Sequence, residues 1–206
     1  MKIKFFIGIF FFLILKIQSQ AIQVSDANFT PQELIEDVLF PDNTDCIQNI
    51  SVNNAVSGSF SNTSSYGYFQ SSGSGFSLEE GIVLTTGRLT NVPGPNDNLS
   101  DDDAPNWVGD TDLENVLGIS NTINATSITF QFTPQANNLS FRYLFASEEY
   151  RENEPTTCDF SDVFGFLIRP LNGNFENIAV VPGTNTPVSV TTVRPDILNA
   201  CDALNE

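Results

Sequence analysis

The chain predicts a mainly β fold, an antiparallel β-sandwich with one short N-terminal helix, a jelly roll being one form of it that fits. Three observations predict this. First, apolar segments of strand length recur after residue 46: "GIVLTTG" (81–87), "SITFQF" (127–132), "LSFRYLF" (139–145), "VFGFLI" (163–168), "IAVV" (178–181) and "VSVTTV" (188–193). Second, the breaks between them carry turn chemistry, in "VPGPND", "TPQANN", "RPLNGN" and "VPGTNTP". Third, the apolar pattern differs between segments in a way that two stacked sheets satisfy. In "LSFRYLF", Leu139, Phe141, Tyr143 and Phe145 share one face and Arg142 lies on the other, as in a sheet half open to water. "VFGFLI" is apolar on both faces and predicts a central strand covered on both sides.

The elements follow in order. Lys2 and Lys4 precede an apolar run from Phe5 to Leu15, and Ser19-Gln20-Ala21 offers small residues at a cleavage site. That is the pattern of a secretory signal peptide, residues 1–21, with a run too short to span a bilayer. Cleavage near Ser19 to Ala21 leaves a secreted or cell-surface protein with no transmembrane span in the mature chain. The next segment, residues 22–45, contains "TPQELIEDVLF", where Thr30 can cap, Pro31 takes the first helical position, and Leu34, Ile35, Val38 and Leu39 form one apolar face. Helical signal is confined to this place, and residues 46–206 read as the β-sandwich domain, long enough to bury a real core.

Charge excludes whole classes of partner. All three lysines lie in the leader, so the remainder carries five scattered arginines against 25 acidic residues. No basic patch exists to neutralise phosphates, which excludes nucleic acid and anionic lipid as partners. There is no histidine, so a serine triad, a Cys-His pair and the usual zinc and iron sites lose an essential group. Three cysteines in an exported chain imply one disulfide and one cysteine left over. Cys158 and Cys201 both lie in turn-rich sequence after the core strands and are the preferred pair.

Two acidic clusters are the candidate sites. "PNDNLSDDDAPNWVGDTDLE" (95–114) brings Asp101, Asp102, Asp103, Asp110 and Asp112 into turn-rich sequence that lacks the EF-hand spacing. "LFASEEYRENEPTTCDFSDVFGFLI" (144–168) places Glu148, Glu149 and Asp162 between two apolar segments. With only hard oxygen ligands on offer, calcium is the metal these residues could hold, and a solvated loop is the competing reading. Glu148 and Asp162 are expected to flank a turn, where they either hold calcium or accept backbone N–H bonds that fix it. A glycosidase would need a second carboxyl group facing Glu148 or Glu149, and nothing in the sequence identifies it. Trp107, Tyr66 and Tyr68 lie in or near turns and could stack on a sugar ring, although such rings more often pack against the protein.

Taken together, "GIVLTTG", "GPND", "GDTDLE", "FRYLFASEEY", "FSDVFGFLI", "NIAVVPGT" and "PVSVTTV" resemble the choice-of-anchor L domain of exported bacterial surface proteins, from about Cys46 to Val193. The resemblance implies an extracellular β-rich module within a longer, anchored protein, and implies no catalytic activity. It also implies further strands after "RPDILNACDALNE", so the chain reads as an incomplete domain with exposed apolar faces. The function expected is non-catalytic adhesion or display, with surface glycans or other envelope proteins as partners. The rivals are a calcium-dependent carbohydrate-binding domain using the residues named above with Trp107 as platform, and a glycoside hydrolase using Glu148 or Glu149.

Overall fold

A computed structural model describes residues 22–41, 47–71, 75–94, 102–154, 159–160 and 162–205. The leader, Cys46, Asp101 and Cys158 lie outside the described residues. In chain order the elements are β1 (Gln23–Ser25), α1 (Pro31–Glu33) continued by a π-helical turn (Leu34–Leu39), β2 (Ile47–Val56), β3 (Tyr66–Gln70), β4 (Glu80–Leu84), a 3-10 turn (Leu89–Asn91), α2 (Thr111–Leu117), β5 (Ser127–Pro134), β6 (Leu167–Ile168) and β7 (Glu176–Asn177). Every strand pairing is antiparallel, in three sheets ordered β1-β3-β4, β2-β5 and β6-β7. The mainly β, antiparallel class expected from the sequence is what the chain forms.

The N-terminal helix begins as its sequence dictates. Glu33 donates its backbone N–H to the Thr30 hydroxyl at 3.3 Å, and the Glu33 carboxylate accepts the Thr30 N–H at 2.7 Å, a reciprocal capping box with Pro31 just inside it. That bond holds the Glu33 carboxyl below the usual glutamate range. Beyond Glu33 the helix widens, Phe40 N–H reaching back five residues to the Ile35 carbonyl at 3.2 Å. The widened turn buries Leu34 and Ile35 to 1% and 2% exposure and touches β2, β3 and β4, so it joins the first two sheets.

A side chain fixes the helix against β2. The ladder between β2 and β5 slips between Gln48 and Ser51, where Asn49 takes a left-handed φ of 54°. At this bulge the Gln32 amide donates to the Ile50 carbonyl at 3.1 Å and accepts the Val52 N–H at 2.8 Å. It satisfies the two backbone groups much as a neighbouring strand would. On β5 the alternation read from "SITFQF" appears as burial, with Phe130 and Phe132 turned the same way at 5.9 Å and Phe40 meeting Phe130 at 6.2 Å. A second buried group, Ala179, Val181, Val188, Val190 and Ile197, fills the C-terminal third.

Three expectations are corrected. "LSFRYLF" forms no strand: residues 139–145 make no ladder, although their rings lie against those of 164–166. "VFGFLI" is not a fully covered central strand. Only Leu167 and Ile168 pair regularly, Val163 bridges Ser189, and the segment is half-buried throughout. Helix is not confined to the N-terminus either, since α2 spans Thr111–Leu117. Its signals were present in "DTDLENVLG": an aspartate cap, Leu113, Val116 and Leu117 on one face, and Gly118 at the left-handed exit with φ 67°.

Replacing Gln32 by alanine leaves two backbone groups of β2 without their partner. The variant is expected to lose about 2 kcal/mol of stability, and a thermal melt should fall by roughly 5 °C. Gln32→Glu, which can still accept from Val52, should fall less; equal losses would show that the amide's two bonds do not act as described.

Candidate functional site

The first acidic cluster folds around Asp102. Its carboxylate accepts the Arg88 N–H at 3.1 Å and the Arg88 guanidinium at 3.2 Å, and also the Asn91 side-chain amide. The Arg88 guanidinium lies 4.6 Å from the centre of the Phe60 ring, and Phe60 meets the Trp107 indole edge-on at 5.5 Å. A carboxylate, a guanidinium and two aromatic rings thus form one continuous packing column. Trp107 is 6% exposed and donates its indole N–H to the Ala125 carbonyl at 2.7 Å. Its ring belongs to the interior and offers no face to a sugar, which corrects the stacking platform expected of it.

The other carboxylates of this cluster have structural duties. Asp110 caps α2 by accepting the Leu113 N–H at 2.9 Å, and Asp103 accepts the adjoining Ala104 N–H at 2.7 Å. Glu114 accepts both the N–H and the hydroxyl of Thr122, at 2.7 and 2.8 Å, and the same hydroxyl accepts the Asp110 N–H at 3.1 Å. This relay holds the loop after α2 against the loop before it, with Val108 bridging Ile123. The approach leaves no room at Gly109, where a Cβ would stand 2.1 Å from the Thr122 carbonyl oxygen. Asp112 sits exposed in the first turn of α2.

In the second cluster Glu148 and Glu149 form a turn fixed through Ser147, whose hydroxyl donates to the Glu149 carboxylate and accepts the Glu149 N–H at 3.3 Å. Tyr150 donates its hydroxyl to the Val193 carbonyl. Burial, and then the charge of Glu149, raise the Tyr150 phenol above its ordinary range, with Arg194 opposing. Asp162 closes the group. Its carbonyl accepts the Val190 N–H at 3.3 Å, and its carboxyl is held above the usual aspartate range first by desolvation, then by the charges of Glu149 and Glu148.

Asp162 therefore lies within electrostatic reach of Glu149 and Glu148, whereas Asp102, Asp103, Asp110 and Asp112 belong to the separate segment that leads into α2. Among the described residues no three carboxylates or cysteines gather in a way that could hold a metal ion. Sequence reading missed Gln32 and also a buried hydroxyl network. Ser65, fully buried, accepts the Gly58 N–H at 3.2 Å, donates to Ser57 at 3.1 Å and receives the Thr126 hydroxyl at 2.6 Å. Hydroxyl residues scattered over 70 positions carry no periodic signal that could have revealed it.

The model of the choice-of-anchor L domain family matches residues 23–206. The chain belongs to that family. Membership covers the β1 and helix region as well as the motifs after Cys46, and it implies an exported, surface-associated module. No curated protein and no solved structure matches this choice-of-anchor L chain. Among its described residues no helix is long and apolar enough to cross a membrane.

The raised Asp162 carboxyl makes a pH prediction. An aspartate whose folded pKa exceeds its unfolded value holds a proton more tightly in the fold, so stability falls as pH rises from the ordinary value of 3.8 through the raised one. Asp162→Asn should melt slightly higher than the parent at pH 7. The two should converge as pH falls below the ordinary aspartate value of 3.8, where the carboxyl carries its proton in the folded and unfolded chain alike. A parent that melts higher at pH 7 would mean that the ionised carboxylate is favourably held.

Proposed function

We propose that this choice-of-anchor L module is a non-catalytic unit for adhesion or display at the cell surface, its sheets stacked as a sandwich within a larger anchored protein. The observation that carries the reading is how the acidic residues are used. Asp102, Asp110 and Glu114 each accept bonds from backbone or side-chain donors, which supports reading the described part of this acidic loop as a structural element. Such a loop presents a rigid surface, and the partners that suit it are surface glycans or other envelope proteins. A signal peptide over residues 1–21 belongs to the same reading.

The test is a glycan array and a cell-adhesion assay, each run with and without EDTA. Adhesion that survives chelation, with no glycan turned over, supports the module. Binding lost on chelation, with heat and a raised melting temperature on adding calcium, would replace it by the calcium-dependent carbohydrate-binding domain. Hydrolysis of a bound glycan would replace it by a glycosidase using Glu148 or Glu149.

Within the same reading we propose the disulfide Cys158–Cys201, a cross-link suited to an exported chain. Asn153 donates its N–H to the Leu198 carbonyl at 2.8 Å, and the Asn199 amide donates to the Asn153 side-chain carbonyl at 2.7 Å. These bonds hold Asn153 beside Leu198 and Asn199, which supports the pairing. Closing a loop of that length is worth about 4 kcal/mol in the chain-entropy account. A non-reducing peptide map should recover the two peptides joined, and a map joining Cys46 to either of them overturns the pairing.

A further inference from the structure

Residues 139–147 carry the side-chain order of a strand without its hydrogen bonds. Phe141 stacks on Phe166 at 4.0 Å and Tyr143 lies 5.3 Å from Phe164, so two residues forward on one segment match two residues back on the other. That is antiparallel register. Yet among the described residues no backbone N–H or carbonyl of 139–147 bonds to another backbone group. Leu139, Tyr143 and Leu144 remain 39%, 42% and 48% exposed. Arg142, the one cation of the segment, donates to the Ser77 carbonyl at 2.7 Å.

Unpaired backbone groups beside exposed apolar side chains are what a strand edge presents to an incoming strand. Charge decides which strand. Glu148 and Glu149 follow the segment directly, and Asp162 stands near enough to both for their charges to act on it. The whole chain carries a formal −17, which opposes pairing with a second copy of itself. We infer that residues 139–147 are an open edge that accepts an extended strand from a different chain, apolar at alternate positions and basic at the end that meets Glu148, Glu149 and Asp162. Backbone bonds would supply the pairing, apolar contacts with Leu139 and Tyr143, which share one face, the alternation, and the charge-assisted bonds the direction, with the basic end N-terminal in an antiparallel partner. The inference goes beyond display by naming what the surface binds, and it stands independently of whether the chain is displayed.

The probe is a short peptide of alternating valine and threonine preceded by two lysines, titrated by fluorescence anisotropy against the full exported chain. Hydrogen exchange of the chain is followed with and without it. Saturable binding is expected, with new amide protection confined to residues 139–147. Replacing the lysines by glutamates, or combining Glu148→Gln with Glu149→Gln, should weaken binding by about tenfold. The inference is overturned by protection elsewhere or none, or by equal binding of a proline-interrupted peptide. It is also overturned if 139–147 is already protected in the free monomer, or if a concentration-dependent dimer shows the same protection. Loss of cell adhesion with strand binding intact would instead sink the module reading alone.

Discussion

The rest of the structure depends on how the widened turn at Leu34–Leu39 is held between the first two sheets. A β-sheet with one apolar face must bury it against something, and here the buried pair Leu34 and Ile35 supplies that surface. Burial alone is non-directional and would tolerate sliding. The Gln32 amide removes that freedom, because both its bonds go to backbone groups of one bulge in β2. The Thr30–Glu33 capping box fixes the entry angle two residues earlier. Apolar area thus provides the attraction and a few polar bonds provide the register.

The same division of labour recurs in the acidic loops. Asp102 binds the backbone and guanidinium of Arg88, and Arg88 in turn rests on Phe60 and so on Trp107. A carboxylate can accept several bonds at once, which makes it an efficient way to satisfy N–H groups in an irregular loop. An abundance of aspartate in turn-rich sequence is therefore as compatible with loop construction as with cation binding, and the partners of each oxygen decide between them. Left-handed turns follow a related economy. All seven described non-glycine residues with positive φ are asparagines, whose short amide tolerates that conformation better than other side chains do.

The second acidic group differs in kind. Asp162 is desolvated and feels the charges of Glu149 and Glu148, so its ionised form comes at a cost to the fold. The two glutamates adjoin the apolar segment 139–147, whose backbone makes no bond to another backbone group among the described residues. Strain of this sort, beside an open edge, is where a partner gains most by binding, since it neutralises charge and completes hydrogen bonds together.

Local chemistry was enough to determine the capped N-terminal helix, the alternation along β5, the antiparallel β class, the absence of any histidine-based site, and the family motifs, because each depends on residues near one another in sequence. The helix at Thr111–Leu117 was also written locally, in its aspartate cap and glycine exit, but the strand-like surroundings hid it. Only the tertiary structure decided the rest. It turned Trp107 inward, committed Asp102 and Asp110 to loop bonds, set Asp162 within reach of the Glu149 charge, and left "LSFRYLF" without a ladder although its alternation is as clean as that of "SITFQF". The physical reason is that periodicity specifies which face of a segment is apolar, whereas a hydrogen-bonded partner is a property of two segments distant in sequence.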